Sequence, residues 1–86
     1  MFFVYVLRSN KDKSFYIGFA PKLRERLEKH SLGLVESTKN IRPVELIYFE
    51  GYKSKKDAPL REKQLERFAR GFGILKCRIQ NSLLML

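Results

Sequence analysis

The chain opens with an uninterrupted apolar run, Phe2-Phe3-Val4-Tyr5-Val6-Leu7, closed by Arg8. It is rich in aromatic and β-branched residues and lacks the alternation of a half-exposed strand, so it predicts a strand over 2–8 with both faces covered. Ser9-Asn10-Lys11-Asp12-Lys13 is turn material, and residues 14–19 (SFYIGF) read as the returning strand of a hairpin. Pro21 suits the first turn of a helix. Leu23, Leu27 and, past His30, Leu34 then recur at helical spacing, with Gly33 as a stop signal. Residues 31–43 form a loop. Residues 44–52 (VELIYFEGY) predict a third strand, by apolar content the most buried. A second helix covers roughly 57–70, capped by Ser54 or Asp57, with Pro59 in the first turn, where its missing N–H does no harm. Gly71 and Gly73 are expected to break the chain, and Ile74, Leu75, Ile79, Leu83 and Leu86 suggest a third helix. The order ββ-α-β-α-α predicts an α+β fold, a small sheet packed with helices.

The 86 residues are enough for one small domain, 1–86. No apolar stretch approaches the ~20 residues of a membrane span. The opening run is short and has no basic segment before it, unlike a signal peptide, so a cytoplasmic location is expected. Cys77 is the only cysteine and His30 the only histidine. An intramolecular disulfide and a zinc site built of Cys and His alone are thereby excluded.

Charge changes the picture most. Eighteen Lys and Arg against nine Asp and Glu leave a net charge of +9. A polyanion rewards such a field through counterion release, which makes nucleic acid the leading partner and an anionic membrane surface the runner-up. Charge alone does not separate the two, and basicity for solubility accounts for it as well.

Stepping the first helix at about 100° per residue puts Arg26 and His30 one turn apart, at one edge of the Leu23–Leu27 stripe. Arg24 falls on the other edge. Arg26 and His30 can therefore meet one ligand together. The ordinary alternative is an arginine stem lying over the core edge and a half-buried histidine. On the second helix, the apolar stripe is Ala58, Leu65, Ala69 and Phe72, and Glu62 is the carboxylate nearest to it. A carboxylate there needs a cation or hydrogen-bond donors. It either pairs with an arginine or ligates a hard metal, and Glu50, near the end of the third strand, is its rival as ligand. A tight hairpin turn would set Tyr5 directly opposite Tyr16 on one sheet face. Gly18 would allow close approach of a ligand or backbone.

These pieces, taken in order, resemble the GIY-YIG nuclease family. Val4-Tyr5 followed by Tyr16-Ile17-Gly18 resembles its two signature segments, and Arg26 and His30 stand in its R-x-x-x-H spacing. Ser37-Thr38-Lys39 and Arg42-Pro43-Val44-Glu45-Leu46 resemble the loop and third strand of its small single-domain branch. Arg61-Glu62-Lys63-Gln64-Leu65 resembles the helix presenting the metal-binding glutamate. The likeness runs from Phe3 to about Ser82. Phe3 replaces the first glycine of the family name, Phe19-Ala20 replaces a commonly polar step, and Pro59 precedes Glu62 in its helix.

The resemblance implies a three-stranded antiparallel sheet flanked by helices and a divalent-metal-dependent DNA endonuclease using Mg²⁺ or Mn²⁺. Tyr5 and Tyr16 would line the site, one of them orienting or deprotonating the attacking water. Arg26 would bind the scissile phosphate, His30 would assist proton transfer or hold a tyrosine or the phosphate, and Glu62 would hold the metal. Asn81 stands where some members carry a late polar residue. With no recognition domain, the enzyme is expected to select DNA by structure rather than sequence. Lys39, Arg42, Lys55 and Lys56 are the expected backbone contacts. The alternatives are a catalytically inactive nucleic-acid-binding module of the same fold, and a basic protein that binds RNA or a protein partner.

Overall fold

The computed structural model describes residues 1–67 and 69–85, with the side chains of 67, 69–72 and 74 outside the description. The opening apolar run is the central strand of the sheet. β1 (Phe2–Ser9) lies between β2 (Phe15–Ala20) and β3 (Val44–Tyr52), and both pairings are antiparallel, in the order β2-β1-β3. Flanking strands cover its edges and helices cover both faces, which explains why its sequence does not alternate. Val4, Tyr5, Val6 and Leu7 are all buried.

The most buried strand is therefore β1, and the expectation for β3 is corrected. β3 is an edge strand whose residues are at most half-buried. Apolar content marks a strand but does not say which strand has a neighbour on each side. β3 also carries a bulge: Val6 faces Tyr48 while Leu7 faces Leu46, leaving Ile47 as the extra residue.

Helix α1 (Leu23–Ser31) packs Leu23 and Leu27 on the face holding Tyr5, Leu7 and Ala20. It ends before Gly33, whose φ of +76° suits glycine. On the opposite face, Val4 and Val6 meet Ala58 and Leu65 of α2 (Asp57–Arg67) and Leu75 of α3 (Ala69–Arg78). A short α4 (Gln80–Leu84) follows. Gly71 and Gly73 lie inside α3 instead of breaking the chain. Glycine lowers helix stability by about 1 kcal/mol relative to Ala, and burial of Leu75 with half-buried Ile79 packed on the same core offsets this. The expected third helix is thus two pieces, and the places assigned to the Ala69 and Phe72 side chains and to Leu86 lie outside the described residues. Pro59 sits in the first turn of α2 without interrupting it.

Between α1 and β3 the chain makes a 3₁₀ turn at Lys39–Ile41. Buried Ser9 fixes it to the hairpin. Its Oγ donates to the Ile41 carbonyl at 2.7 Å and accepts the N–H groups of Lys11 and Asp12. The Asn10 N–H donates to the Pro43 carbonyl at 2.8 Å. One buried hydroxyl thereby satisfies three backbone groups and holds residues 38–41 against the sheet. Among the described residues, no helix is long and apolar enough to cross a membrane.

Candidate active site

The site is organised by the absence of a side chain. The β1–β2 register sets Gly18 opposite Tyr5. A Cβ at Gly18 would collide with Cζ and Oη of Tyr5, so the phenol lies against the neighbouring backbone in a way no other residue at 18 would allow. Tyr5 is fully buried, and its Oη lies 2.8 Å from Nε2 of His30, in the last turn of α1. The other ring nitrogen, Nδ1, lies 2.7 Å from Oγ1 of Thr38. His30 and Thr38 are also buried. Strand, helix and loop each contribute one member of a three-residue hydrogen-bonded chain.

Tyr16 joins it by a different register from the expected one. The turn is longer than two residues: the Ser9 N–H donates to the Ser14 carbonyl, the Lys13 N–H to the Ser9 carbonyl, and Lys13 adopts φ of +66°. Leu7, not Tyr5, therefore faces Tyr16. The shift is by two positions, and side chains alternate with a period of two, so Tyr16 stays on the face of Tyr5 as its diagonal neighbour. Their ring centroids are 6.3 Å apart, and the Tyr16 ring meets that of His30 edge-on at 5.2 Å. Tyr16 is only half-buried and is the tyrosine of the pair that reaches the surface.

Arg26 stands one turn before His30, at a cleft formed by Phe19, Ala20, Pro21, Lys22, Glu25 and Lys29. Its charge is felt by both Tyr5 and His30. Its side chain hydrogen-bonds Tyr5, but its Nε is buried without a hydrogen-bond partner among the described residues. The other such atom among the described residues is Nε of Arg8, whose guanidinium covers the Phe15 ring. Burial pushes the Tyr5 hydroxyl up to about 12; Arg26 partly offsets this, while Tyr16 and Glu62 add to it. Tyr5 is a neutral phenol at pH 7. Burial, then Arg26, moves His30 below the ordinary imidazole value, so its ring is neutral as well.

Glu62 is near enough for its charge to raise Tyr5. It is half-buried on α2, and among the described residues its carboxylate has neither a hydrogen-bond nor an ion-pair partner. Burial, then Glu66, pushes it above the usual carboxylate range, with Lys63 opposing. The adjacent Arg61 turns the other way, to Glu50. Its Nε donates to both Glu50 oxygens at 3.0 and 3.1 Å, and a second guanidinium nitrogen donates at 3.1 Å. Tyr48 donates to the same carboxylate at 2.6 Å, and Tyr52 donates to it too. Burial raises Glu50, but the bonds from Arg61, Tyr48 and Tyr52 outweigh it and bring the carboxyl below its ordinary value. The rival ligand is thus fully used within the fold, on the α2 side of the sheet.

Of the two readings of Glu62, the arginine pair is therefore absent among the described residues. The fit to a hard divalent ion rests on this unpaired carboxylate. No cluster of three His, Cys, Asp or Glu is present among the described residues, so an ion at Glu62 would complete its shell with water and ligand oxygens. Mg²⁺ accepts that donor set.

The four basic candidates do not form one patch. Lys39 and Arg42 lie before β3 at the Ser9 end of the sheet; Lys55 and Lys56 follow β3 at the Phe2 end. Lys39 pairs with Glu36 at 3.2 Å. Arg42 donates to the carbonyls of Lys39 and Ser31, at 3.1 Å each, and lies over Gly33. Lys55 and Lys56 are exposed. Asn81 is exposed on α4.

Sequence reasoning gave no role to Thr38 and did not see the Glu50 cluster. Threonine is an ordinary loop residue, and burial of a polar side chain leaves no trace in periodicity.

The GIY-YIG catalytic domain family model matches residues 1–69. UPF0213 proteins of Staphylococcus aureus strains Mu3, Mu50 and N315 are each 39% identical over 69 residues, covering 79% of this chain and 83% of theirs. No solved structure gives a significant match. The matched span holds Tyr5, Tyr16, Gly18, Arg26, His30 and Glu62, and the chain belongs to the GIY-YIG catalytic domain family, a family of nucleases.

Proposed function

We propose that this chain is a divalent-metal-dependent DNA endonuclease that selects its substrate by structure rather than sequence. The observation carrying the reading is the Glu62 carboxylate, unpaired among the described residues, whose charge is felt by the buried Tyr5 that is bound to His30 and Arg26. A half-buried carboxylate without a partner is costly to a fold unless a ligand completes it.

Arg26 binds the scissile phosphate and stabilises the charge that develops on its oxygens. Tyr16, half-exposed beside the His30 ring, offers its hydroxyl to water or phosphate. Tyr5, neutral at pH 7, orients His30 and holds the floor of the site instead of removing a proton itself. Glu62 holds Mg²⁺ or Mn²⁺. When bound, the ion supplies positive charge to the phosphate and a more acidic water. Lys55 and Lys56 contact the DNA backbone.

The test is cleavage of supercoiled plasmid and of a labelled branched DNA by metal-free protein, with and without Mg²⁺ or Mn²⁺. Nicking that needs the metal and disappears in both Glu62→Gln and Arg26→Ala is the expected result. Equal activity in the variants would overturn the site. Salt-dependent DNA binding without cleavage would give the chain to the inactive-module alternative.

A further inference from the structure

The chain Tyr5–His30–Thr38 contains three hydrogens and two hydrogen bonds. A neutral imidazole carries one hydrogen and each hydroxyl carries one. Either the order runs Tyr5 to His30 to Thr38, leaving the Thr38 hydrogen over, or it runs Thr38 to His30 to Tyr5, leaving the Tyr5 hydrogen over. The ends are not equivalent. Thr38 is fully buried under α1, and among the described residues its hydroxyl meets no group but Nδ1 of His30. A leftover hydrogen there would be a buried donor without an acceptor, at about 1–3 kcal/mol. Tyr5 is buried too, but its end meets the Arg26 side chain, which hydrogen-bonds its oxygen, and feels the charge of Glu62, a carboxylate with no partner among the described residues.

We propose that Thr38 is a positioning residue: its hydroxyl donates to Nδ1 of His30 and so fixes the hydrogen on Nε2, which donates to Tyr5 Oη. The Tyr5 oxygen is then held from the His30 side, and its own hydrogen is the one left over, at the end of the chain that feels Arg26 and Glu62. His30 acts here as a fixed donor aimed by a loop hydroxyl, not as a freely titrating base. The loop is itself anchored by Ser9 through the Ile41 carbonyl, so the hairpin turn and the imidazole hydrogen are set by one connected piece of structure. The catalytic consequence rests on the nuclease reading above; the hydrogen assignment does not.

His30 is the only histidine in the chain, so the ¹⁵N resonances of a histidine-labelled sample report this ring alone. Near pH 7, without DNA or metal, the expected spectrum is a neutral ring with hydrogen on Nε2 and a bare, hydrogen-bonded Nδ1. Thr38→Ser keeps that spectrum, and Thr38→Val moves the ring toward a mixture of the two neutral forms. In the cleavage assay, Thr38→Val lowers kcat by roughly 10-fold or more with KM for DNA little changed, and Thr38→Ser restores it. A wild-type ring carrying its hydrogen on Nδ1 would overturn the proposal, as would an unchanged ring in Thr38→Val. Should Thr38→Val fail to fold, the wild-type and Thr38→Ser spectra still decide the assignment. A protein that cuts nothing but shows the Nε2 form loses the nuclease reading and keeps this one.

Discussion

Glu50 and Glu62 lie near α2 and are both partly buried, yet the fold treats them in opposite ways. Glu50 receives Arg61 through three N–H···O bonds and two tyrosine hydroxyls. Glu62, next to Arg61 in sequence, receives nothing from the described residues. The pairing brings one carboxyl below its ordinary value and leaves the other above it. The arginines divide in parallel: Arg61 is saturated, while Arg26, beyond its bond to Tyr5, keeps a buried Nε without a partner among the described residues. A group saturated inside the fold holds the fold, and a group left open is available for chemistry.

The largest effect that separates the two is on activity. Glu62→Gln is expected to reduce metal-dependent cleavage by roughly 10²–10³-fold, a loss typical of removing one charge-stabilising group, while leaving the melting temperature equal or higher. Glu50→Gln should do the reverse. Breaking a largely buried charged pair is expected to lower stability by about 2–4 kcal/mol, with residual activity tracking the folded fraction. Chemical denaturation and cleavage, measured on the same preparations, check both. A Glu50 variant of native stability but no activity would break the comparison.

This distinction was only half legible in the sequence. Helical phase placed Glu62 at the core edge and Arg26 beside His30, because helical spacing is regular and needs no tertiary information. It could not tell which carboxylate Arg61 would choose, since that depends on where β3 lies relative to α2. Tyr5 and Tyr16 were placed on one face correctly but in the wrong register, since the length of the Ser9–Ser14 turn is set by hydrogen bonds of Ser9 that composition does not display. The buried hydroxyl of Thr38 was invisible for a similar reason.

Acid sharpens the contrast, and the two signs differ. The Glu50 carboxyl is lowered by folding, so its contribution is present above the unfolded value near 4.5 and is lost as pH falls through its folded value. The Glu62 carboxyl is raised, so its ionised form opposes folding above its folded value, and that opposition vanishes as it protonates. In metal-free buffer, the melting-temperature difference between Glu62→Gln and wild type should therefore be positive at pH 7 and shrink toward zero below about pH 4.5. The difference for Glu50→Gln should be negative at pH 7 and shrink only at lower pH still. Two curves that shrink over the same pH range would mean that the carboxylates share one environment.

Gly18→Ala tests whether the open site depends on the space beneath it. The added methyl meets the Tyr5 phenol, and the ring must move from its place beside His30. Overpacking of this kind is expected to destabilise by about 1–3 kcal/mol. The loss of cleavage should exceed what unfolding explains, because the displaced ring no longer sets the His30–Arg26 face. A variant equally destabilised but fully active once folded would show that Tyr5 is only a core residue.

The smallest effect extends the comparison to the basic surface. Arg42 is bound to two carbonyls and lies over Gly33, as Arg61 is bound to Glu50. Lys55 and Lys56 are exposed before α2. If saturated groups serve the fold and open ones serve the ligand, Arg42→Ala should lower the melting temperature and leave the salt dependence of DNA binding almost unchanged. Replacing Lys55 and Lys56 together by Ala should do the opposite. Every phosphate that the protein no longer neutralises lowers the slope of log K against log salt by about 0.9, so the double variant should lose nearly 2 in slope with no change in melting temperature. The outcome that defeats this is a slope that falls with Arg42→Ala and holds with the lysine pair. DNA would then lie at the Ser9 end of the sheet, and hydrogen bonding within the fold would not predict which charges face the substrate.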